Sequence, residues 1–219
     1  METISLIDVL PRVFTGAENE APVNRSQIWL RPLSFHRGEV YLVEAESGTG
    51  KSSLCSFIYG NRSDYSGTIA FDGTDIRTLS IGQWCAVRRS AVALLPQEMR
   101  LFPELTALEN VQIKNRLTGY LSADRIASMF ERLEIGAKMK QPVAKLSIGQ
   151  QQRVAIIRAL SQPFSFILLD EPVSHLDERN NRIVASMILE HVREQGASVI
   201  TTSVGNPLLL DGPISHISL

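Results

Sequence analysis

Cysteine is nearly missing from this chain. Cys55 and Cys85 are its only two, with neither CxxC spacing nor a framework of pairs. That argues against a disulfide scaffold or a thiolate metal cluster, and it suits a reducing cytosol. Long apolar runs are missing too: no stretch of about 18 apolar residues occurs, and METISLIDVLPRVF at the start has no basic segment leading into an apolar one. The expectation is a chain that is soluble by itself and reaches a membrane only through a partner. Neither sign of charge is in excess, since 22 Lys and Arg face 23 Asp and Glu for a net charge of −1. Without a global positive field, no nucleic acid partner is expected. There is no internal repeat and no low-complexity segment.

What is present is an ordinary globular composition, 44% hydrophobic and 21% charged over 219 residues. That length suits one large domain or a domain with a subdomain. Residues 44–53 read EAESGTGKSS after the apolar run Val40, Tyr41, Leu42 and Val43. Strand, tight loop and helix start are expected there. A polyphosphate needs several backbone N–H groups pointing inward and a helix N-terminus aimed at negative charge. Gly48 and Gly50 permit that path, Lys51 reaches β- and γ-phosphates, and the Ser52 hydroxyl is a Mg²⁺ ligand. Ser47, Thr49 and Ser53 complete the loop. The pattern usually begins with Gly where this chain has Ala45, a departure tolerable at negative φ.

The first third reads as short strands. SQIWLRPLSFHRGEVYLVEA holds two apolar runs split by a turn at His36, Arg37 and Gly38, and SGTIAFDGTDI alternates between turn signals at Gly67 and Gly73. From Thr106 to Gln141 the period becomes helical. SADRIASMFERLEI sets Ile126, Met129, Phe130 and Leu133 on one face, with Ser122 as N-cap and Gly136 as stop. SIGQQQRVAIIRALSQP reads as a helix ending before Pro163. FSFILLDE and ASVITTS are unbroken apolar runs either side of the helical ERNNRIVASMILEHVREQG, the pattern of parallel strands buried on both faces. FILLDE delivers Asp170 to the C-terminal edge of its strand, where open α/β sheets bind ligands. Asp170 is placed there to hold a Mg²⁺ shell and Glu171 to orient an attacking water.

AKLSIGQQQRVAIIRAL then resembles the signature motif of the ATP-binding cassette (ABC) ATPases, matching at Leu146, Ser147, Gly149, Gln150 and Arg153. With the phosphate loop (Walker A) and FILLDE (Walker B), the resemblance runs from about residue 5 to 215. It implies an α/β P-loop NTPase of ABC type: a mixed sheet core, an antiparallel β front piece, and a helical subdomain at about 98–160 inserted into one nucleotide-binding domain, 1–219. It implies ATP and Mg²⁺ as ligands. Gln97 resembles the residue that touches Mg²⁺ or the nucleophilic water and senses a membrane partner. Ser174–Asp177 resembles the dimer-contact loop, with His175 in place of a small residue, and Phe14 stands where the family sets an aromatic ring against adenine. Ser147, at a helix start, offers a hydroxyl and N–H groups suited to a γ-phosphate. In the family it serves the nucleotide of the other subunit, which implies a homodimer or a heterodimer with a second cassette.

Two departures stand out. Ile148 replaces the first of the usual paired Gly, and Val204 in VITTSVGNP stands where the family has a His that bonds the γ-phosphate. Valine neither donates nor accepts, and losing one such donor typically costs roughly 10²–10³ in rate. Near-normal binding with slow hydrolysis is expected, with neither His175 nor His216 as a substitute. The short single cassette resembles the energising subunits of the lipoprotein-releasing and macrolide-exporter type. They sit peripherally on the cytoplasmic face of the membrane against an integral permease subunit. LFPELTALENV is a candidate lining for a groove that takes a permease helix. A soluble ABC mechanoenzyme, a catalytically weakened regulatory cassette and a different loop-type NTPase are the alternatives, the last lacking any Asn-Lys-x-Asp guanine reader. The ending GPISHISL suggests that no accessory domain follows.

Overall fold

The computed structural model describes residues 1–219. Its strands are β1 (Thr3–Pro11), β2 (Leu33–His36), β3 (Val40–Glu44), β4 (Tyr65–Phe71), β5 (Thr74–Asp75), β6 (Val92–Leu95), β7 (Phe166–Asp170), β8 (Ser198–Ser203) and β9 (Ser215–Ser218). The helices are α1 (Lys51–Ile58), α2 (Ile81–Ser90), α3 (Ala107–Asn115), α4 (Ala123–Arg132), α5 (Ile148–Leu160) and α6 (Glu178–Gln195). Two sheets result: an antiparallel one in the order β2-β1-β4-β5 and a parallel one in the order β6-β7-β8-β3-β9.

Burial on both faces explains the unbroken apolar runs. Every residue of β7 and β8 is buried. Because side chains alternate along a strand, Ile167 and Leu169 enter a core shared with α3 to α6, while Phe166 and Leu168 enter a second core between the two sheets and α1. The turn at Arg37 and Gly38 does not make a hairpin. It carries the chain from β2 in the antiparallel sheet to β3 in the parallel one.

Gly67 is not a turn residue, contrary to its reading in the sequence. It lies inside β4 opposite a bulge of β1 between Ile7 and Leu10, where a Cβ would stand 2.2 Å from the Asp8 carbonyl oxygen. Close backbone approach, not chain reversal, requires glycine there. Gly73 does turn the chain between β4 and β5, at φ 81°. Gly136 does not stop α4 either. The helix closes at Leu133 with Glu134 in the left-handed region at φ 57°, and Gly136 begins a separate short turn. At its other end Ser122 accepts from the Arg125 N–H as expected, and Ile126, Met129, Phe130 and Leu133 are all buried. Helix α2 was not anticipated, because it buries no residue fully and sets only Trp84 and Val87, half-buried, against the core; its Ser80–Gln83 capping box is the clearest local mark.

Candidate nucleotide site

Strand β3 ends at Glu44 and the chain turns through residues 45–50 into α1, so the phosphate loop lies at the C-terminal edge of the parallel sheet. Gly48 and Gly50 have φ of 85° and 106°, whereas Ala45 stays out of the left-handed region and its methyl causes no strain. Lys51, the first residue of α1, is only 5% exposed, and its Nζ donates to the carbonyls of Ala45 (3.1 Å) and Glu46 (2.6 Å). Burial lowers its pKa, and the neighbouring charges of Glu171 and Asp170 oppose that shift. Above the loop is a cavity of about 310 Å³ lined by Ser47, Gly48, Gly50–Ser53, Gln97 and Glu171, with no apolar residue among them. Such a lining is suited to a hydrated polyanion rather than to an apolar ligand. Thr49 does not line it: its hydroxyl donates to the Glu46 carbonyl at 2.9 Å.

The acidic pair arrives from β7. Asp170 is buried at 4% exposure and accepts from the Thr202 hydroxyl at 2.8 Å. Glu171, next along, has φ 49°, a conformation that costs a bulky residue on the order of 1–3 kcal/mol. Three hydrogen bonds to its backbone hold it there, one of them from the Ser174 N–H to its carbonyl at 3.4 Å. Its N–H donates to Thr202 Oγ1 (3.2 Å), and its carbonyl accepts from Gln152 Nε2 (3.3 Å). The result aims the Glu171 carboxylate into the cavity, where Gln97 Nε2 donates to it at 3.3 Å. The oxygen donors of Ser52, Asp170 and Gln97 are of the kind Mg²⁺ prefers. No group of three or more His, Cys, Asp or Glu side chains is gathered in the molecule, so a cation here would complete its shell with phosphate and water.

The signature segment lies elsewhere. Ser147 caps α5 through a reciprocal box with Gln150 and is exposed, as is Ile148; neither they nor Gly149 line the cavity. A Cβ on Gly149 would stand 3.0 Å from the His175 carbonyl oxygen, so α5 lies directly against the 174–177 loop. Gln152 ties the two, donating to Ser174 Oγ (3.3 Å) and accepting the His175 N–H (3.0 Å). Arg153 braces the other side of the helix, donating to the Leu133 carbonyl (2.8 Å) and to Asn180 Oδ1 (3.1 Å). Phe14 is half-buried against the core between the sheets and does not line the phosphate cavity. Val204 is exposed just past β8. His216 reaches Glu44 (3.0 Å) and His175 reaches Ser174 (3.0 Å), so neither lines the cavity.

A separate cavity of about 430 Å³ is at the other end of the sheet, among Val40, the end of α6 and residues 211–215. It contains none of the motif residues, and ligands of such sheets bind at the opposite edge. Three residues that support the candidate site escaped the sequence: Thr202, Gln152 and Trp29, whose indole Nε1–H donates to the Thr49 carbonyl at 3.0 Å. Thr202 carried a faint signal as a polar residue within an apolar strand; Trp29 carried none.

Comparison with known proteins agrees with this geometry. The profile of the ABC transporter family matches residues 32–174. The "ABC transporter ATP-binding protein YtrE" of Bacillus subtilis is 34% identical over 84% of this chain and 80% of its own length. The "Lipoprotein-releasing system ATP-binding protein LolD" of Alcanivorax borkumensis is 32% identical over 83% and 79%. Among solved structures, the dimeric ABC transporter cassette MJ0796 superposes with a TM-score of 0.78 at 23% identity, covering 98% of this chain and 94% of that one. The same cassette bound to ADP and Pi gives 0.75 at 24% identity, covering 93% and 88%. Motifs, topology and relatives converge: the chain belongs to the ABC transporter family and is one of its ATP-binding-cassette ATPases.

Proposed function

We propose that this chain binds MgATP in a head-to-tail dimer of cassettes and drives an integral membrane permease from the cytoplasmic face. One observation carries the reading: the phosphate cavity gathers Walker A, Gln97 and Glu171, while the exposed Ser147 sits outside it on its own helix. The Ser147 hydroxyl, which only accepts within its capping box, and the N–H groups at the start of α5 suit the γ-phosphate of a second subunit's nucleotide. ATP then contributes differential affinity for the closed pair, and that difference shifts the population.

Each residue has a task in this reading. Backbone N–H groups from Ser47 to Ser53 and the Lys51 ammonium hold the phosphates, with Ser52, Asp170 and Gln97 around Mg²⁺. Glu171 orients the water for in-line attack. Phe14 contacts the base beyond the phosphates, while Gly149 and Gln150 support Ser147 across the dimer. With Val204 supplying no donor, binding is near normal and hydrolysis slow.

No helix is long and apolar enough to cross a membrane, so the membrane-spanning part belongs to the permease. A groove of about 260 Å³ next to Gln97 is its docking place in this reading, lined by Tyr59, Leu94, Phe102, Ile113, Lys114 and Arg158. Phe102 is 51% exposed, while Ala107 and Val111 of the same stretch are core. Burial lowers the Arg158 pKa to about 10, and its guanidinium donates to the carbonyls of Met99 and Arg100 rather than to a carboxylate. A permease helix with an apolar face and a carboxylate suits that groove.

The test is affinity purification of tagged Glu171→Gln from detergent-solubilised membranes with ATP and Mg²⁺. Loss of the carboxylate prolongs the closed state and retains partners. A stoichiometric polytopic protein is the expected outcome; soluble partners or nucleic acid alone would favour a soluble mechanoenzyme.

A further inference from the structure

Trp29 is fully buried, yet it belongs to no helix or strand. Its backbone is fixed by Ser26, whose buried hydroxyl oxygen accepts the N–H groups of both Ile28 (2.9 Å) and Trp29 (2.8 Å). Flanking bonds tie the segment to both sheets, Gln27 N–H to the Ser218 carbonyl and Leu30 N–H to that of Val9, each at 2.9 Å. The indole is thus held by the scaffold rather than by the phosphate loop. From that anchored position Nε1–H donates to the Thr49 carbonyl at 3.0 Å. The ring also lies under Gly50: a Cβ built there would stand 2.9 Å from Trp29 Cζ2.

A trans peptide points its C=O and N–H in opposite directions. Anchoring the Thr49 oxygen down onto the indole therefore turns the N–H of the same peptide, that of Gly50, away from Trp29 and toward the cavity that Gly50 lines. Gly50 has no side-chain cap and occupies the left-handed region, and because glycine takes positive and negative φ about equally readily its own conformation does not fix the peptide's orientation. An external clamp is what selects one orientation.

We infer that Trp29 is a positioning residue for phosphate binding: its indole N–H clamps the Thr49–Gly50 peptide so that the Gly50 N–H faces the phosphate group of a nucleoside diphosphate or triphosphate. The inference rests on the nucleotide reading of this cavity. It also explains why residue 50 must be glycine on two counts, its positive φ and the ring beneath it.

The chain has two tryptophans, so Trp84→Phe leaves Trp29 as sole reporter; Trp84 lies on α2 against Phe71 and Arg88, outside the cavity. The experiment titrates ADP, without hydrolysis, into wild type, Trp84→Phe and Trp29→Phe. One signal is calorimetric affinity and the other is the ¹H–¹⁵N resonance of the indole. The Trp29 indole resonance shifts on saturation with ADP, and Trp29→Phe, which keeps a ring but loses the N–H, binds ADP about tenfold more weakly. An unmoved indole resonance, or a Trp29→Phe protein that binds ADP as wild type does, overturns the inference and leaves the nucleotide reading standing. Wild type that fails to bind ADP overturns both. If Trp29→Phe does not fold, the indole resonance in Trp84→Phe decides alone.

Discussion

Replacing Thr202 with Val removes one hydroxyl and keeps the shape, and the structure sets the size of the effect. Thr202 is 1% exposed, and its Oγ1 both donates to Asp170 Oδ1 at 2.8 Å and accepts the Glu171 N–H at 3.2 Å. The first bond is charge-assisted, so its loss strips a buried carboxylate of a partner at a cost of about 1.5–3 kcal/mol. The second leaves a strained N–H without its acceptor, about 1 kcal/mol. Burying a methyl in place of the hydroxyl returns about 1 kcal/mol. The net expectation is a loss of about 1.5–3 kcal/mol, read as a lower urea midpoint at unchanged slope. Thr201 is the internal control: it is equally buried, but its hydroxyl has no partner. Thr201→Val is expected to be neutral or stabilising, since it removes an unsatisfied buried group. ATPase activity should fall in Thr202→Val alone, because Glu171 is no longer held in its left-handed conformation. Equal midpoints for the two variants would refute the claim that Thr202 supports the acidic pair.

Two further outcomes are expected. Val204→His restores a donor at the C-terminal edge of β8, and steady-state turnover should rise at least about tenfold, toward the 10²–10³ that one preorganised donor contributes; unchanged turnover would show that Val204 is not what limits hydrolysis. His191 is 1% exposed, with Nδ1 2.9 Å from the Met187 carbonyl and Nε2 without a partner. Burial holds its pKa below the usual value, reinforced by the Arg125 charge and opposed by the Met187 bond and the charges of Glu194 and Glu190. The unfolded chain takes up a proton near pH 6.5 that the folded chain refuses, so this contribution is complete above that pH and diminishes as the pH falls toward the folded-state value. Unfolding free energies of wild type and His191→Phe should therefore diverge between pH 7 and 5.5, the variant losing less; parallel curves would refute the assignment.

Much of the site was legible because its chemistry follows chain order. Walker A needs loop residues in sequence, and a buried strand must place Asp170 and Glu171 at its end. Ser122 was readable as a cap and Ser147 as a helix start, since a cap and its partner are three residues apart. Gly67 and Gly136 misled because glycine marks a tight place without saying whether it is a turn. At Gly67 the crowding atom comes from Asp8 on another strand, a contact no local pattern encodes. Helix α2 escaped because it buries no residue fully and turns only Trp84 and Val87 toward the core, too few to show a helical period.

The sequence alone determined the family, the alternation of strands and helices, and the candidate residues for phosphate and metal, since each depends on near neighbours in the chain. Tertiary structure decided what holds them. The parallel register pairs Asp170 with Thr202, Gln152 spans from the signature helix to the carbonyl of Glu171, and Trp29 reaches 20 residues along the chain to Thr49. Hydrogen bonds of this kind depend on distances of about 3 Å in space, and separation along the chain does not record them.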